Sequence, residues 1–398
     1  MNMTKYILMN KNKEVALVNY DENAYSFTDI IELYEVDYGP LGVFRSRMKK
    51  KDIIIQNLNQ WFLNRQIPVS REGYTNLIDS FQINNISNQI MEHYALSLSD
   101  QYWFKEKNQT IGWKDINKFD HNFEFSYFTD VTINEKKIKE HFDQSPNFSV
   151  NGNLRKAWII ENNKRYLLKV GLNYCGNQEA FNEYLASKFA KSLGIYCVDY
   201  DVVYYKNHIA SKCECFIDKD TEYICAKDIL KQVDKPENIS NYEFYIQLLE
   251  QNGIQEARKQ IEGMLIVDYL MMNIDRHRNN FGIIRNVETL QWKCVAPLFD
   301  TGTSLNCMER YLKTSLFEKG STNKFFNESI SFESMLEYVH DFSNVNIQNL
   351  YEIADSWKEL LLEWNQKVDF MTVEDIHILV TGVQTRIQML EKRISQKV

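Results

Sequence analysis

The sequence predicts an α+β protein in three sections: an N-terminal α+β section at 1–142, a β-rich lobe with one helix at 143–222, and a helical lobe at 223–398. Short strand patterns separated by turn residues lie mostly in the first two sections, and apolar residues at helical spacing dominate after Cys225. The chain has only 14 Gly and 5 Pro in 398 residues, which disfavours long flexible linkers. We therefore expect a folded body with a large core.

The N-terminal section is predicted to contain a hairpin and short helices. Apolar runs on both sides of the polar turn at 10–13 predict two paired strands. Apolar residues at helical spacing predict helices from Asp52 to about Arg65 and over Tyr74–Phe81. The aromatic-rich stretch at 96–125 indicates core packing rather than ligand binding. The residues of this section point to no chemical function.

The β-rich lobe and the helical lobe follow. The strand patterns of the β-rich lobe lie at 148–150, 157–160, 166–170, 197–205 and 208–217. Between them a helix is predicted over 178–193, with Gly194 as its C-terminal stop. The helices of the helical lobe are predicted at 241–251, 255–272, 331–341, 347–364 and 373–395, with a hairpin at 281–285 and 291–296. This order is the two-lobed layout of protein kinases.

Composition disfavours several functions. The net charge of −8 argues against a broad surface for nucleic acid or for anionic membrane. No segment approaches about 18 continuous apolar residues, and residues 1–20 lack the basic and apolar regions of a signal peptide. We therefore expect a cytoplasmic protein without membrane or direct nucleic-acid partners. The seven cysteines include no CxxC pair, which favours reduced, buried thiols over a zinc site.

The polar string Asn273–Asn280 follows an apolar helix and is poor helix-forming sequence, so a loop is expected. In phosphoryl transfer, one carboxylate orients the attacking hydroxyl and a nearby amide oxygen can hold Mg²⁺. Asp275 and Asn280 lie on this one short loop and could face a shared site. A capped polar turn without chemistry is the alternative from this string alone.

Asp300 ends the apolar run 297–299 and precedes a Thr-Gly turn, so its carboxylate would project from a strand end. An Asp-x-Gly string alone is weak evidence, because turns use these residues everywhere. Kinases, however, carry a second metal-binding carboxylate in such a turn after the catalytic hairpin. The position of Asp300, beyond the predicted hairpin that follows Asp275, matches that arrangement.

Two further segments could contact a phosphate. Lys169 lies within an apolar strand, where its charge needs a partner or a ligand phosphate unless the strand is an edge in water. Glu179 and Glu183, one helical turn apart, could each supply the pairing charge. In the segment 149–156, Gly152 would let backbone N–H groups approach phosphates. This segment lacks a Walker or GxGxxG pattern, which disfavours those nucleotide folds.

Together these segments resemble the HipA-like family of bacterial Ser/Thr protein kinases. The matching strings are SVxGxxxK at 149–156, NEY at 182–184, LGI at 193–195, ECF at 214–216, NxDxHxxN at 273–280 and FDxGxSL at 299–305. The core of the 273–280 string is also similar to the catalytic loop of phosphatidylinositol 3- and 4-kinases. The resemblance is specific over about 145–310 and looser over the later helices.

The resemblance implies a two-lobed protein-kinase-like fold and an ATP- and Mg²⁺-dependent kinase that acts on Ser or Thr hydroxyls of a protein substrate. The catalytic residues that it implies are Asp275, Lys169, Glu183 and His277, and the metal ligands are Asn280 and Asp300. The nucleotide-binding residues that it implies are Ser149, Val150, Asn151, Gly152, Lys156, Lys169, Glu214 and Phe216. It also implies autophosphorylation of Ser149, where a phosphate would repel those of the nucleotide.

Residues 1–142 depart from HipA itself and are similar to the lead-in of some Gram-positive HipA-like proteins, through WxxxRxxP at 61–68 and LSDQYW at 98–103. A toxin role, with an antitoxin or regulatory partner, therefore stays open. Two alternative functions also stay open: a nucleotide-binding interaction module without catalysis, and a lipid kinase. The required charged and amide groups are all present, which favours an active kinase, and no basic amphipathic segment supports lipid binding. Segment 306–327 is either an activation loop or a plain surface loop.

Overall fold

The computed structural model describes residues 3–44, 50–81, 83, 85–123, 146–150, 152–172, 176–318, 322–323, 325 and 329–397. The chain divides into two compact units. Unit 1 comprises Met1–Leu168, Glu214–Asp234 and Ile284–Trp292. Unit 2 comprises Lys169–Cys213, Lys235–Ile283 and Lys293–Val398.

The described parts of the chain contain both strands and helices. The strands are β1 (Met3–Asn10), β2 (Lys13–Asp21), β3 (Ser26–Leu33), β4 (Tyr102–Glu106), β5 (Lys156–Glu161), β6 (Lys164–Val170), β7 (Tyr200–Tyr205), β8 (His208–Glu214), β9 (Thr221–Cys225), β10 (Gly282–Asn286), β11 (Trp292–Val295), β12 (Thr322–Asn323) and β13 (Ile330–Ser331). The helices are α1 (Leu41–Phe44), α2 (Lys51–Leu63), α3 (Tyr74–Phe81), α4 (Ile86–Glu92), α5 (Trp113–Ile116), α6 (Gln178–Ser192), α7 (Ala226–Leu230), α8 (Asn241–Gln251), α9 (Ala257–Met271), α10 (Phe332–Met335), α11 (Ile347–Val368) and α12 (Val373–Lys397). The predicted mixture of helices and strands is confirmed.

Unit 1 begins with a four-stranded antiparallel sheet in the order β3-β2-β1-β4. β1 and β2 form the predicted hairpin, with Tyr6 opposite Val18. The sequence pattern does not predict β4 as a strand, because its first three residues are all buried and show no alternation of apolar and polar side chains. These residues are Tyr102, Trp103 and Phe104.

The sheet and α2 enclose an aromatic core. Phe27 of β3 stacks on Phe104 of β4 with ring centroids 5.0 Å apart, and Phe62 of α2 meets Phe27 edge-on at 5.3 Å. Aromatic pairs of this kind add about 0.5–1.5 kcal/mol beyond the burial of their surface. For the described part of the aromatic-rich stretch, the prediction of core packing is confirmed.

The strands β5 and β6 are neighbours joined by a tight turn at Asn162 and Asn163, whose φ values of +50° and +62° suit Asn. The strand predicted at 148–150 is wrong, because Pro146–Ser149 forms a turn of 3₁₀ helix. Proline is pre-set for the first position of a helical turn. The Asn147 side chain then accepts a backbone N–H from β5 at 2.6 Å, which holds the turn in place.

Unit 2 contains α6, the helix that the sequence predicts over 178–193. It ends as predicted at Gly194, which has a φ of +68° and donates its N–H to a carbonyl of the last turn. Ile195 follows and packs closely on Gly263 of α9, where a Cβ would lie 2.3 Å from the Ile195 side chain. The helix terminator and this small residue together set how α6 and α9 approach each other.

Two predicted elements of unit 2 differ from the structure. β7 begins at Tyr200, later than predicted, and pairs antiparallel with β8. The helix predicted over 331–341 covers only α10 and a short 3₁₀ turn. Beyond that turn the backbone N–H of His340 donates to the buried Glu262 carboxylate at 2.9 Å, so a tertiary contact takes the place of a helical bond.

α9 is buried along most of its length, and α11 and α12 form the last helical pair of unit 2. Trp357 of α11 is fully buried and donates its indole N–H to the carbonyl of Phe181 in α6 at 3.1 Å. Arg386 of α12 is also fully buried and lies over the Tyr269 ring of α9, 3.9 Å from its centroid. Within the described ranges, no helix has the length and apolar character needed to cross a membrane.

Candidate functional site

The polar string at 273–280 is a loop directly after α9, as predicted, and is called the polar loop below. Met272 takes the chain out of the helix with a φ of +49°. Asn273 donates to the buried Asp268 carboxylate at 2.8 Å and accepts the N–H of Asp275 at 3.0 Å. The second of these bonds forms an Asx turn, and the first holds the Asn273 side chain in place. The Asp275 side chain that emerges from this turn is 32% exposed.

The buried side chain of Arg276 holds the polar loop of unit 2 in place. Arg276 and Asp268 are both fully buried and form a two-bond ion pair with N–O distances of 2.9 and 3.0 Å. The remaining Arg276 nitrogen donates to the carbonyls of Asn280 at 2.7 Å and Phe299 at 2.8 Å. Because Phe299 precedes Asp300, one guanidinium fixes the end of the polar loop against the segment that carries Asp300.

His277 and Asn280 complete the polar loop. The Asn280 amide nitrogen donates to the Asp275 carbonyl at 2.9 Å, so its carboxamide oxygen is the atom suited to bind a cation. The N–H of Asn279 donates to His277 Nδ1 at 3.3 Å, which places the ring proton of the neutral imidazole on Nε2. This Nε2 lies 3.9 Å from the Asp275 carboxylate. His277 is therefore turned toward Asp275.

Asp300 opens a turn whose backbone is held by α6. Its φ of +55° lies in the left-handed region, which Asp adopts more readily than most residues. Asn182 of α6 donates to the carbonyls of Gly302 at 2.8 Å and Ser304 at 2.9 Å. A Cβ on Gly302 would lie 3.2 Å from the Glu179 Cβ, which is a tight contact, so a glycine favours this close approach of the turn to the helix.

Lys169 joins Asp300 to α6. Its Nζ donates to Glu183 Oε1 at 2.5 Å and to Asp300 Oδ1 at 2.8 Å, and its side chain is only 6% exposed. Glu183 is buried as well, and its other oxygen accepts the hydroxyl of Ser211. Glu179, the other glutamate considered as a partner, accepts a backbone N–H near the start of α6 at 3.1 Å instead. Lys169 is thus a paired, buried charge rather than an edge residue in water.

The surrounding charges keep the Lys169 amine protonated. Burial by itself lowers the pKa of Lys169, but the Asp300 and Glu183 carboxylates outweigh it and raise the pKa well above its usual range. The Tyr200 ring centroid lies 5.6 Å from the amine, and the Tyr200 hydroxyl accepts the Asp300 N–H at 3.4 Å. Burial, and then the Glu183 carboxylate, raise the pKa of Tyr200, so its phenol stays neutral.

The oxygen donors of this region suit a hard cation. Mg²⁺ usually binds through one or two carboxylates together with nucleotide phosphates. The Asp300 carboxylate, with 36% of its side chain exposed, and the Asn280 carboxamide offer such oxygens. Among the residues that the structure describes, no group of three or more His, Cys, Asp or Glu could hold a metal ion by itself. Binding of Mg²⁺ by these two residues stays a prediction.

The segment 149–156, called the glycine loop below, lies in unit 1. Gly152 has a φ of +111°, which favours glycine, and the Lys156 amine lies against it, only 2.2 Å from where a Cβ would stand. The other described residues of this loop with a predicted role are Ser149, at the end of the 3₁₀ turn, and Val150, which is buried. Asn151 lies outside the described residues.

Glu214 and Phe216, the predicted adenine contacts, also lie in unit 1. Glu214 ends β8 and pairs with Lys164 at 2.8 Å, with about half of its side chain exposed. The Phe216 ring packs edge-on against a tyrosine of β9, with ring centroids 6.0 Å apart. Between them, the Cys215 N–H donates to the carbonyl of Arg165 at 2.8 Å. These contacts anchor the segment, and its role toward adenine stays a prediction.

The residues that hold the site together have no role predicted from the sequence. These residues are Asp268, Asn273, Arg276, Asn182, Tyr200 and Ser211. Some of them stand within the strings that carry the family resemblance, but a string does not show which neighbour a side chain contacts. Asp268 alone has a usable signal: it is a carboxylate in an apolar helix, where burial requires a partner. Tyr200 and Ser211 lie in ordinary strand sequence and carry no such signal.

Residues 148–359, more than half of the chain, match the sequence model of the HipA-like C-terminal domain. The chain belongs to the HipA-like family. The matched region of this HipA-like chain contains the glycine loop, Lys169, the polar loop and Asp300. The family resemblance that the sequence motifs indicate is therefore confirmed.

One curated relative is a kinase. Over 167 residues the HipA-like chain is 26% identical to the serine/threonine-protein kinase CtkA of Helicobacter pylori. The match covers 39% of this chain and 50% of CtkA, so the chain spans about half the length of this curated relative.

Two solved structures are similar to the chain. The crystal structure of CtkA, described as a proinflammatory kinase of Helicobacter pylori, aligns at 18% identity and a TM-score of 0.45, covering 61% of this chain and 95% of CtkA. HipA of Shewanella oneidensis MR-1, solved with HipB and its operator DNA, aligns at 14% identity and a TM-score of 0.53. That alignment covers 96% of this chain and 97% of HipA, so the two proteins share a fold.

Proposed function

We propose that this HipA-like chain is an ATP- and Mg²⁺-dependent protein Ser/Thr kinase. The proposal rests on the ion cluster of unit 2, in which Lys169 bonds to both Glu183 and Asp300. Arg276 ties the polar loop, with Asp275, to the segment that carries Asp300. Phosphoryl transfer requires these kinds of group: a cation for the phosphates, metal-binding oxygens and a carboxylate for the hydroxyl. Membership of the HipA-like family and the kinase relative CtkA support the same class of activity.

In the proposed reaction, a Ser or Thr hydroxyl oxygen of the protein substrate bonds to the γ-phosphorus of ATP. The bond from that phosphorus to the β–γ bridging oxygen breaks, and ADP leaves with the electron pair. Asp275 accepts the hydroxyl proton, with His277 Nε2–H turned toward it. Lys169, kept protonated by its carboxylate neighbours, neutralises charge on the phosphate oxygens. Mg²⁺, held by Asn280 and Asp300, would supply further charge neutralisation there.

The same proposal assigns the glycine loop to the nucleotide phosphates and the backbone of Glu214 and Phe216 to adenine. It includes autophosphorylation of Ser149 as a way to switch the enzyme off. A phosphoserine carries about −1.5 to −2 charge at neutral pH and would repel the phosphates of ATP.

A regulatory protein partner is also part of the proposal. The HipA structure with the shared fold contains HipB and operator DNA. A comparable antitoxin would make this chain the toxin of a pair. Because its own net charge is −8, the chain is poorly suited to bind DNA directly, and contact with DNA would have to come from the partner.

The test incubates the purified protein with Mg²⁺ and γ-labelled ATP and maps the labelled peptides. Wild type is compared with Asp275→Asn and with Asp201→Asn, a matched control on an exposed position of β7. We expect label on Ser149 or another hydroxyl in wild type and control. Asp275→Asn should be slower by about 100-fold or more, because it lacks the proton acceptor, while it still binds the nucleotide.

The other outcomes separate the alternatives. Equal rates for wild type and Asp275→Asn would exclude Asp275 as the proton acceptor. A folded wild type that binds ATP but transfers no label to protein would favour a nucleotide-binding interaction module. Transfer of label only to phosphatidylinositol vesicles added to the assay would show a lipid kinase.

A further inference from the structure

Arg71 of the N-terminal section contacts the glycine loop within unit 1. Its Nε donates to the carbonyl of Gly152 at 2.8 Å, and one of its terminal nitrogens donates to the carbonyl of Val150. Arg71 is only 3% exposed, so these bonds are made away from water. Two carbonyls on either side of the loop tip are therefore held by one side chain.

The neighbours of Arg71 contact the same loop. The Ser70 hydroxyl donates to the Asn153 side-chain oxygen at 2.8 Å, and the Glu72 N–H donates to the Asn153 carbonyl at 3.3 Å. The Glu72 carboxylate also lies 3.6 Å from the Arg155 guanidinium. Three consecutive residues, Ser70, Arg71 and Glu72, thus each make contact with the glycine loop.

Arg71 makes these bonds from a fixed backbone. Its own N–H donates to the carbonyl of Pro68 at 2.9 Å, and its carbonyl accepts the N–H of Tyr74 at the start of α3 at 3.0 Å. The planar guanidinium presents several donors in a rigid fork, which a lysine cannot do. An arginine in this position can therefore fix the direction of two loop peptides at once.

The direction of those peptides bears on phosphate binding. In a trans peptide the carbonyl and the following N–H point in opposite directions. Because Arg71 holds the Gly152 carbonyl, the N–H of Asn153 is directed away from Arg71. Backbone N–H groups of such loops are the groups that bind phosphate oxygens. The Lys156 amine also lies against Gly152, so two cationic side chains flank the tip of the loop.

We propose that Arg71 is a positioning residue for the nucleotide. From the N-terminal section, it fixes the glycine loop in the conformation that receives the phosphates of ATP. The inference rests on the proposed nucleotide-binding function. It gives the N-terminal section, in which sequence motifs indicate no chemistry, a direct part in shaping the glycine loop.

Three variants test this role. Arg71→Lys keeps the positive charge but removes the planar guanidinium that donates to two carbonyls. Arg65→Lys is the matched control: Arg65 is also buried in the N-terminal section, but its hydrogen bonds go to Asp100 at 2.5 Å and to carbonyls of residues 95 and 102. Ser70→Ala removes only an exposed hydrogen bond to Asn153, so it tests a second contact to the same loop without risk to folding.

Two measurements are made on each variant. Hydrogen–deuterium exchange of the nucleotide-free protein reports on the glycine loop, and calorimetry gives the Kd for ADP with Mg²⁺. We expect faster exchange of the loop in Arg71→Lys and a Kd raised about tenfold, which corresponds to the loss of one charge-assisted hydrogen bond. Ser70→Ala should shift both quantities in the same direction by about twofold. Arg65→Lys should lower the unfolding midpoint but leave loop exchange and Kd unchanged.

Unchanged exchange of the glycine loop in both Arg71→Lys and Ser70→Ala would overturn the inference. So would faster exchange with an unchanged Kd, or a raised Kd that Arg65→Lys shares. A wild type that is free of phosphate by intact mass and binds no ADP would overturn the proposed function and this role with it. The exchange data would then still show whether Arg71 holds the loop, so the two failures are distinguishable.

Discussion

Lys169 shows how a buried charge is maintained in this protein. Burial favours loss of its proton, and the carboxylates of Glu183 and Asp300 prevent that loss. Glu183 is equally buried and depends on Lys169 and on the hydroxyl of Ser211. Each group in the cluster therefore needs its neighbours, and removing one leaves a charge that the protein interior does not tolerate.

The substitution Lys169→Met should lower the free energy of unfolding by about 3 kcal/mol, because it leaves the buried Glu183 carboxylate without its cationic partner. Adding Glu183→Gln should recover part of the loss, because a carboxamide needs no counter-charge. Urea unfolding of both variants beside wild type measures the effect. A double variant no more stable than Lys169→Met would contradict this account of the ion pair.

The pKa of Lys169 also sets the pH range of this contribution. Since its folded-state pKa is raised above the unfolded value of 10.5, the stabilisation is fully present below that value. It is lost only as the pH rises through the higher folded-state pKa. The stability difference between wild type and the Lys169→Met/Glu183→Gln variant should therefore stay constant between about pH 7 and about pH 9.

The polar loop is an element shaped by side chains rather than by a helix or a sheet. α9 contributes Asp268, which orients Arg276, and Arg276 holds the carbonyls at the end of the loop and before Asp300. α6 contributes Asn182, which holds the turn after Asp300. The two helices thus position groups that lie outside both of them.

The substitution Arg276→Lys should destabilise the protein by about 3 kcal/mol, because a lysine cannot make both the two-bond ion pair and the two hydrogen bonds to carbonyls. It should also lower kcat, because the polar loop is no longer fixed to the Asp300 segment. The control is Arg258→Lys, which removes a two-bond pair with Glu243 at 2.8 and 2.9 Å whose side chains are each 35% exposed. That control should cost less than about 1 kcal/mol.

Unfolding curves and steady-state kinetics, measured on the same preparations, check this prediction. A wild-type kcat in Arg276→Lys would mean that the polar loop keeps its geometry without the guanidinium. A loss of stability in Arg258→Lys as large as that in Arg276→Lys would mean that burial does not distinguish the two ion pairs.

A bound nucleotide should stabilise the folded state of the protein as a whole. A ligand that binds only the native state stabilises it by about 2.7 kcal/mol when its concentration is 100 times the Kd. We expect ADP with Mg²⁺ to raise the Tm of wild type and of the Asp201→Asn control. Asp300→Asn should lose the part of the shift that depends on Mg²⁺, because it removes a proposed metal-ligand charge.

Scanning fluorimetry with ADP, in Mg²⁺ or in EDTA, measures these shifts. The Asp300→Asn change suits the left-handed backbone at this position, since Asn adopts a positive φ as readily as Asp. A Tm shift equal in Mg²⁺ and in EDTA for wild type would contradict the proposed metal site.

Much of the local structure could be predicted from the sequence. The β1–β2 hairpin and the end of α6 at Gly194 were predictable, because apolar periodicity and turn chemistry act over a few neighbouring residues. The 3₁₀ turn in place of the strand predicted at 148–150, and the early end of the helix predicted over 331–341, were not predictable. Asn147 and Glu262 make contacts there with backbone groups farther along the chain, and these contacts override local preference.

From the sequence, periodicity and turn residues predicted the mixture of strands and helices, and residue type and position predicted the candidate groups Lys169, Asp275 and Asp300. The family was indicated by the resemblance of the motifs. The tertiary structure decided the contacts of these groups. It placed Glu183 rather than Glu179 on Lys169, and Arg276 on both the polar loop and the Asp300 segment. It also placed the guanidinium of Arg71 within hydrogen-bonding distance of the glycine loop. Such contacts join residues far apart in the chain, where packing of the fold sets the distance and local propensity has no influence.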